Sequence, residues 1–270
     1  KRALIFADSS VVYRDFYATK PAENLKQIRL DVRSLGPGFV SLEEVPIASW
    51  EGNLPRLLLF LILEKPAVSR SEICTALWPG LDDQQAVNIF HVTKRRLHKA
   101  LGGQDEHFPI LAHHQGRYFL AETVSLSHDV REFATALLHA RFDPSCDRAL
   151  WLSRAINIYS GSYLQGHNEE WIVRRRKDYQ EGFIEALTWL AEIREAEQRA
   201  DIALQYRLRA ADTAPARIEL HRDVIRTYLK LGRRSEAAVY LNRLVTIASQ
   251  KDFDLPLAFV QEQRLLIDQP

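Results

Sequence analysis

The periodicity of the chain changes once, near residue 128, and that change limits what it can fold into. Upstream, short stretches that alternate apolar and polar residues lie between Gly and Pro turns and a few helical stretches. Downstream, apolar residues recur only at three- and four-residue spacing, in HDVREFATALLHAR, DRALWLSRAINIY, EEWIVRRRKDYQEGFIEALTWLAEIREAEQ, ADIALQYRLRAAD, RIELHRDVIRTYLKLG and SEAAVYLNRLVTIAS, with a last helix over 257–267. A period of two requires a sheet, and a period near 3.6 requires a helix with one buried face. The sequence therefore predicts α+β over residues 27–126 and all-α over 127–270. Residues 1–26 (ALIF, SVVYRDFYA) read as an extension that packs as a strand and a short helix, or equally as the tail of an upstream module.

The upstream half can be read element by element. IRLDVRSL, a turn at Gly36-Pro37-Gly38, FVSLEE and PIASW predict a small antiparallel sheet. Asn53 is placed to cap LPRLLLFLILEK, with Pro55 in the first turn and Pro66 at the end. Ser69 with Glu72 three residues on is a capping box for SRSEICTALW, which Trp78-Pro79-Gly80 stops. A third helix covers 82–101, and FPILAHHQGRYFLAE predicts two strands turning near His114-Gly116. A sheet, three helices and a terminal hairpin make a winged helix-turn-helix, with a core from Leu57, Phe60, Leu61, Ile73, Leu77, Phe90 and Leu97.

The third helix, DDQQAVNIFHVTKRRLHKAL, carries the chemistry. Ala86, Ile89, Phe90, Thr93, Leu97, Ala100 and Leu101 share one face. Gln84, Asn88, His91, Arg95 and Lys99 occupy the opposite one, with Lys94, Arg96 and His98 on its flanks and no acid between residues 84 and 104. Arg and Lys match guanine O6/N7, and Asn and Gln match adenine N6/N7, in a major groove that admits one helix. Taken alone, a solvated surface helix would look the same. In a winged-helix order the face reads as DNA-binding: Gln84, Asn88, His91 and Arg95 toward bases, Lys94, Arg96 and Lys99 toward phosphates. His113, His114 and Arg117 would stand on the wing beside the minor groove, or simply on a solvated hairpin.

Composition narrows the classes. At 270 residues, 46% hydrophobic and 26% charged, the chain suits one or two globular domains. Its net charge of +1 announces no partner, so the basic helix face is a local feature. Cys74 and Cys146 lack CxxC partners, which suits a reducing cytoplasm. The longest apolar run, Leu57 to Leu63, is far short of the ~20 residues a membrane span needs, and no signal peptide is present. A chain without a single Met reads as a trimmed piece of a longer protein. No GxxxxGK[ST], HExxH, GxSxG or GxGxxG motif occurs, and His91 and His98 lack a third metal ligand. Neither an enzyme nor a cofactor or metal site is expected.

In the downstream half, Ala149-Leu150, Ala203-Leu204 and Ala238-Val239 are each followed seven residues after the Ala by Ile156, Ala210 and Val245. The last two copies lie about one tetratricopeptide period (~34 residues) apart. The expectation is a short helical-repeat domain whose groove binds protein or peptide. Arg174-Arg175-Arg176-Lys177 on the longest helix reads as a solvated face.

The order of parts resembles the bacterial transcriptional activator domain family, the regulators of Streptomyces antibiotic regulatory protein type. The resemblance rests on Leu35-Gly36-Pro37, VSRSEICTALWPG, residues 88–101, Gly116-Arg117-Tyr118, HDVREFATALLHAR, Tyr159-Ser160-Gly161-Ser162-Tyr163-Leu164, Glu170-Trp171 and LGRRSEAAVYLNRL. It implies an OmpR-like winged helix joined to a tetratricopeptide-like activator domain. The function it implies is transcriptional activation by binding double-stranded DNA and contacting RNA polymerase. The loop Pro79-Gly80-Leu81-Asp82 is then a polymerase-contact candidate, and a second copy of the chain a partner on directly repeated sites. Phe90, His91, His113 and His114 depart from the family at the DNA surface. The competing expectation is a protein-interaction scaffold whose winged helix no longer binds DNA.

Overall fold

Residues 27–102 and 110–269 are described by the structure, a computed structural model. The strand and helix expected within 1–26 lie outside these residues, as do Gly103, Phe108 and Pro109. The described chain divides into two compact units: residues up to 134 together with 160–176, and residues 135–159 together with 177–270.

In the first unit β1 (Ile28–Arg33), β2 (Phe39–Leu42) and β3 (Val45–Pro46) form the expected meander. Glu43 and Glu44, both at positive φ (48° and 68°), make the two-residue turn between β2 and β3. The sheet is not purely antiparallel. A strand that local pattern did not reveal, β7 (Val124–His128), lies parallel to β1 with Leu30 opposite Leu126, giving the order β3-β2-β1-β7. The strand signal thus runs to His128, two residues past the expected boundary. Asp129 follows at once, its carboxylate accepting from the backbone N–H of Ser34 (2.8 Å), Leu35 (2.9 Å) and Val130 (2.8 Å).

α1 (Asn53–Leu63), α2 (Arg70–Leu77) and α3 (Asp83–Ala100) follow. Gly52, not Asn53, is the N-cap of α1. Its φ of 82° and ψ of 178° suit glycine, and Asn53 is already the first helical residue. The capping box of α2 is present, with Glu72 and Ser69 bonded reciprocally. Leu57, Phe60, Leu61, Ile73, Leu77, Phe90 and Leu97 are all buried, and α1 is apolar over most of its surface because it is the centre of this core. The hairpin of β5 (Leu111–His114) and β6 (Arg117–Leu120) carries a third strand, β4 (Val68–Ser69), on its β6 edge. This is a winged helix.

Residues 160–176 complete the same unit. Gly36 N–H donates to Ser162 O (3.1 Å), Leu164 N–H to Ser34 O (2.9 Å) and Gln165 N–H to Gly36 O (2.8 Å), so the segment adds to the turn after β1 like a short strand. Tyr163 is fully buried there, and its hydroxyl donates to Glu64 at the end of α1. Arg175 Nε lies 2.7 Å from the other Glu64 oxygen. Arg176 donates to the carbonyls of Tyr163 (3.0 Å), Leu164 (2.9 Å) and His167 (2.6 Å). The basic run is therefore only half a solvated face: Arg174 and Lys177 are exposed, while Arg175 and Arg176 hold this segment in place.

The second unit is all helix. The division between units falls within α4 (Asp129–Phe142) and α6 (Glu170–Ala196), and α5 (Arg148–Ile158), α7 (Ala200–Thr213), α8 (Ile218–Lys230), α9 (Arg234–Lys251) and α10 (Leu257–Asp268) complete it. Polar contacts step along the row. Arg141 pairs with Glu185 from α4 to α6, and Arg207 of α7 bonds both Glu195 of α6 and Thr227 of α8. His221 Nδ1 lies 2.6 Å from the Tyr240 hydroxyl between α8 and α9. The expected repeat register holds only for Ala203, Leu204 and Ala210. In α9 the buried phase is Ala237, Leu241, Leu244 and Ala248, with Val239 68% exposed, and Leu150 of α5 is 63% exposed. Apolar identity alone could not distinguish these phases, because Ala237, Ala238 and Val239 are three adjacent apolar residues.

Candidate nucleic-acid interface

Asp82 starts α3 by accepting from Gln85 N–H (2.9 Å), and Ala86, Phe90, Thr93 and Leu97 bury its back against the core. That packing fixes which side chains face out. Gln84, Asn88, His91, Arg95, Arg96 and Lys99 are all exposed, and Lys94 is half-buried. At the head of the face Gln84 donates to Asn88 (3.3 Å), so the two amides present one hydrogen-bonding edge.

The flanks of α3 differ. On one side stands the wing. Tyr118 of β6 packs edge-on against Phe90 (centroids 5.0 Å apart) and lies beneath Lys94, whose Nζ is 5.6 Å from the ring centroid. His113, opposite Tyr118 in the β5–β6 register, lies 4.5 Å from the same ring. His114 and Arg117 face each other across the turn, where Gln115 (φ 48°) and Gly116 (φ 77°) supply the left-handed pair a tight hairpin needs. Both are exposed, as is His113. Burial, with Lys94 nearby, holds His98 below the usual imidazole range, so it adds no charge to this flank at neutral pH.

On the other side Glu51, from the loop before α1, reaches α3. Its carboxylate lies 2.6 Å from Lys99 Nζ and 3.4 Å from Arg96 Nε, and the Lys99 contact holds it below the usual carboxylate range. Two of the three expected phosphate-binding cations on this helix are therefore already engaged. The sequence reading missed this contact, and no local signal points to a loop carboxylate 45 positions from its partner. It also gave Tyr118 no role beyond the wing strand.

Ahead of α3, Pro79, Gly80, Leu81 and Asp82 form an exposed loop, with Leu81 41% exposed and Gly80 at φ 118°. The loop forms part of the wall of a cleft of about 780 Å³, together with Arg70, Cys74, Trp78, His91 and His113. Trp78, at the end of α2, is half-buried at the edge of this cleft. Among the described residues no cluster of three or more His, Cys, Asp or Glu could hold a metal, and no helix is long and apolar enough to cross a membrane.

The all-helical region has a recognised pattern. A model of the bacterial transcriptional activator domain matches residues 128–254. The activator domain is one of transcriptional regulators rather than of enzymes, and its match begins at the last residue of β7, where the helical pattern starts. Among solved structures, Mycobacterium tuberculosis EmbR in complex with a low-affinity phosphopeptide is similar, with a TM-score of 0.62 and 23% identity. The match covers 90% of this chain and 66% of that chain, so this chain spans just under two thirds of the EmbR chain. At that identity the likeness is one of fold: an α+β region followed by helices. No curated protein matches the chain.

Proposed function

We propose that this activator-domain protein is a sequence-specific DNA-binding transcriptional activator of the cytoplasm. The observation that carries the reading is the outward face of α3. Gln84, Asn88, His91 and Arg95 stand exposed in a row on a helix whose back is locked into a winged-helix core. Such a face offers amide and guanidinium donors at the spacing a major groove reads. Lys94, Arg96 and Lys99, with Arg117, His113 and His114 on the wing, would contact phosphates and the minor groove. The exposed Pro79–Asp82 loop and the helical unit would supply the contacts to RNA polymerase, and a second copy would bind beside the first.

The competing reading, a helical scaffold with a silent winged helix, draws support from Glu51, which removes two cations from the DNA-facing set. Salt dependence separates the two. If Lys94, Arg96, Lys99 and Arg117 meet phosphates, log affinity for duplex DNA falls with log salt at a slope of about −3 to −4. In vitro selection of genomic fragments on the purified chain, followed by anisotropy titrations over a salt series, provides the measurement. A defined selected site with that slope supports an activator; no measurable affinity for any duplex leaves the scaffold.

A further inference from the structure

Glu51 pairs with two of the cations that the DNA-binding reading assigns to phosphates. We infer that Glu51 is a built-in phosphate mimic that holds Lys99 and Arg96 in an occupied state and so lowers the affinity of the winged helix for non-specific DNA. The inference rests on the DNA-binding reading above and deepens it.

The geometry has three parts. First, one carboxylate spans both cations, Oε1 on Lys99 and Oε2 on Arg96, one turn apart on the flank of α3 away from the wing. Second, Glu51 and Arg96 are about half exposed and Lys99 is 66% exposed, so a phosphate can reach the cations without any rearrangement of the core. Third, Glu51 is ionised at any physiological pH, because Lys99 holds its carboxyl below the usual range. The clamp is therefore permanent in charge but weak in strength, as exposed ion pairs are.

The consequence for binding is electrostatic competition. A phosphate that takes Lys99 or Arg96 must displace the carboxylate, and the freed carboxylate then lies close to a polyanion. Random DNA, which gains only phosphate contacts, bears this penalty without compensation. A specific site, held by contacts from Gln84, Asn88 and Arg95 to base edges, can leave the Glu51 clamp closed and so avoid it. Glu51 would thus widen the ratio between specific and random binding.

Glu51→Gln keeps the size and the loop while removing the charge. Anisotropy titrations of the full chain against a random duplex and against its selected duplex, over a salt series, read the effect. The expected result is a roughly tenfold gain on the random duplex, a smaller gain on the selected one, and a salt slope steeper by about one to two. In the background of Lys99→Gln with Arg96→Gln, the same substitution should give almost no gain. Unchanged or weaker binding by Glu51→Gln overturns the inference, and so does a gain that survives loss of both cations. Wild-type protein that binds no duplex at all removes the DNA reading itself and this inference with it, so the two failures are told apart by the wild-type titration. Thermal melting of each variant checks that the fold is retained.

Discussion

Arg95 lies near the middle of the exposed face of α3, beside Arg96 and Lys99, which share Glu51. If it grips guanine bidentately, Arg95→Ala should reduce the preference for the selected duplex over random DNA by ~1–3 kcal/mol, measured by competition titration. Lys94→Ala should weaken both duplexes alike. The outward residues of α3 were legible in the sequence because a capped amphipathic helix fixes its own solvent face. Glu51 was not, since its place is set by how the loop before α1 packs. His128 belongs to the same class of hidden residue. It ends β7 with its Nε2 2.9 Å from Ser34 Oγ, and burial, with Arg131 and Arg33 adding to it, pushes its pKa down to about 3. Once unfolded it would take up a proton near 6.5. The unfolded chain therefore binds the proton first. This contribution to stability is whole above about pH 6.5 and falls as pH drops toward 3, at up to about 1.4 kcal/mol per pH unit. The melting temperature of the first unit should decline over that window, and His128→Gln should flatten the decline.

At the scale of elements, what could be read was local and what could not was long-range. Capping at Ser69 and Asp82, the hairpin at Gln115-Gly116 and all the helices of the second unit follow from residues a few positions apart. The parallel pairing of β1 with β7 joins residues nearly a hundred positions apart, through a strand of only five residues that runs straight into a helix. Tyr163 is likewise a core residue of the first unit lent by a stretch that sequence order assigns to the helical half. Residues 27–126 alone should therefore be unstable: they cut β7, lose the Asp129 carboxylate and leave the Tyr163 site open. Residues 27–176 should fold, and in that fragment Tyr163→Ala should cost about 3–5 kcal/mol, read from the urea midpoint. A fragment ending at 126 that matches the longer one in stability would show that residues 160–176 contribute nothing.

At the scale of the molecule, one winged helix touches few base pairs, so selectivity over a genome calls for a second reader. The selected DNA should contain two direct repeats ~10–11 base pairs apart, bound cooperatively by two copies whose recognition helices face the same side of the duplex. Inserting five base pairs should abolish cooperativity, and inserting ten or eleven should restore part of it. A single repeat in the selected sites, or affinity that ignores spacing, would leave a monomeric reader.

The segment at 160–176 also bears on the order of events during synthesis. A ribosome releases the amino-terminal strands first, yet β1 lacks its parallel neighbour until residue 128 has emerged. The turn after β1 lacks Tyr163 and the Arg176 clamp until about residue 176 is out. At ~5–20 residues per second the nascent DNA-reading unit waits on the order of seconds with an open sheet edge and an empty core site. Its completion is timed by translation of α4 and α5, so slow synonymous codons placed across that stretch should lower the yield of soluble chain.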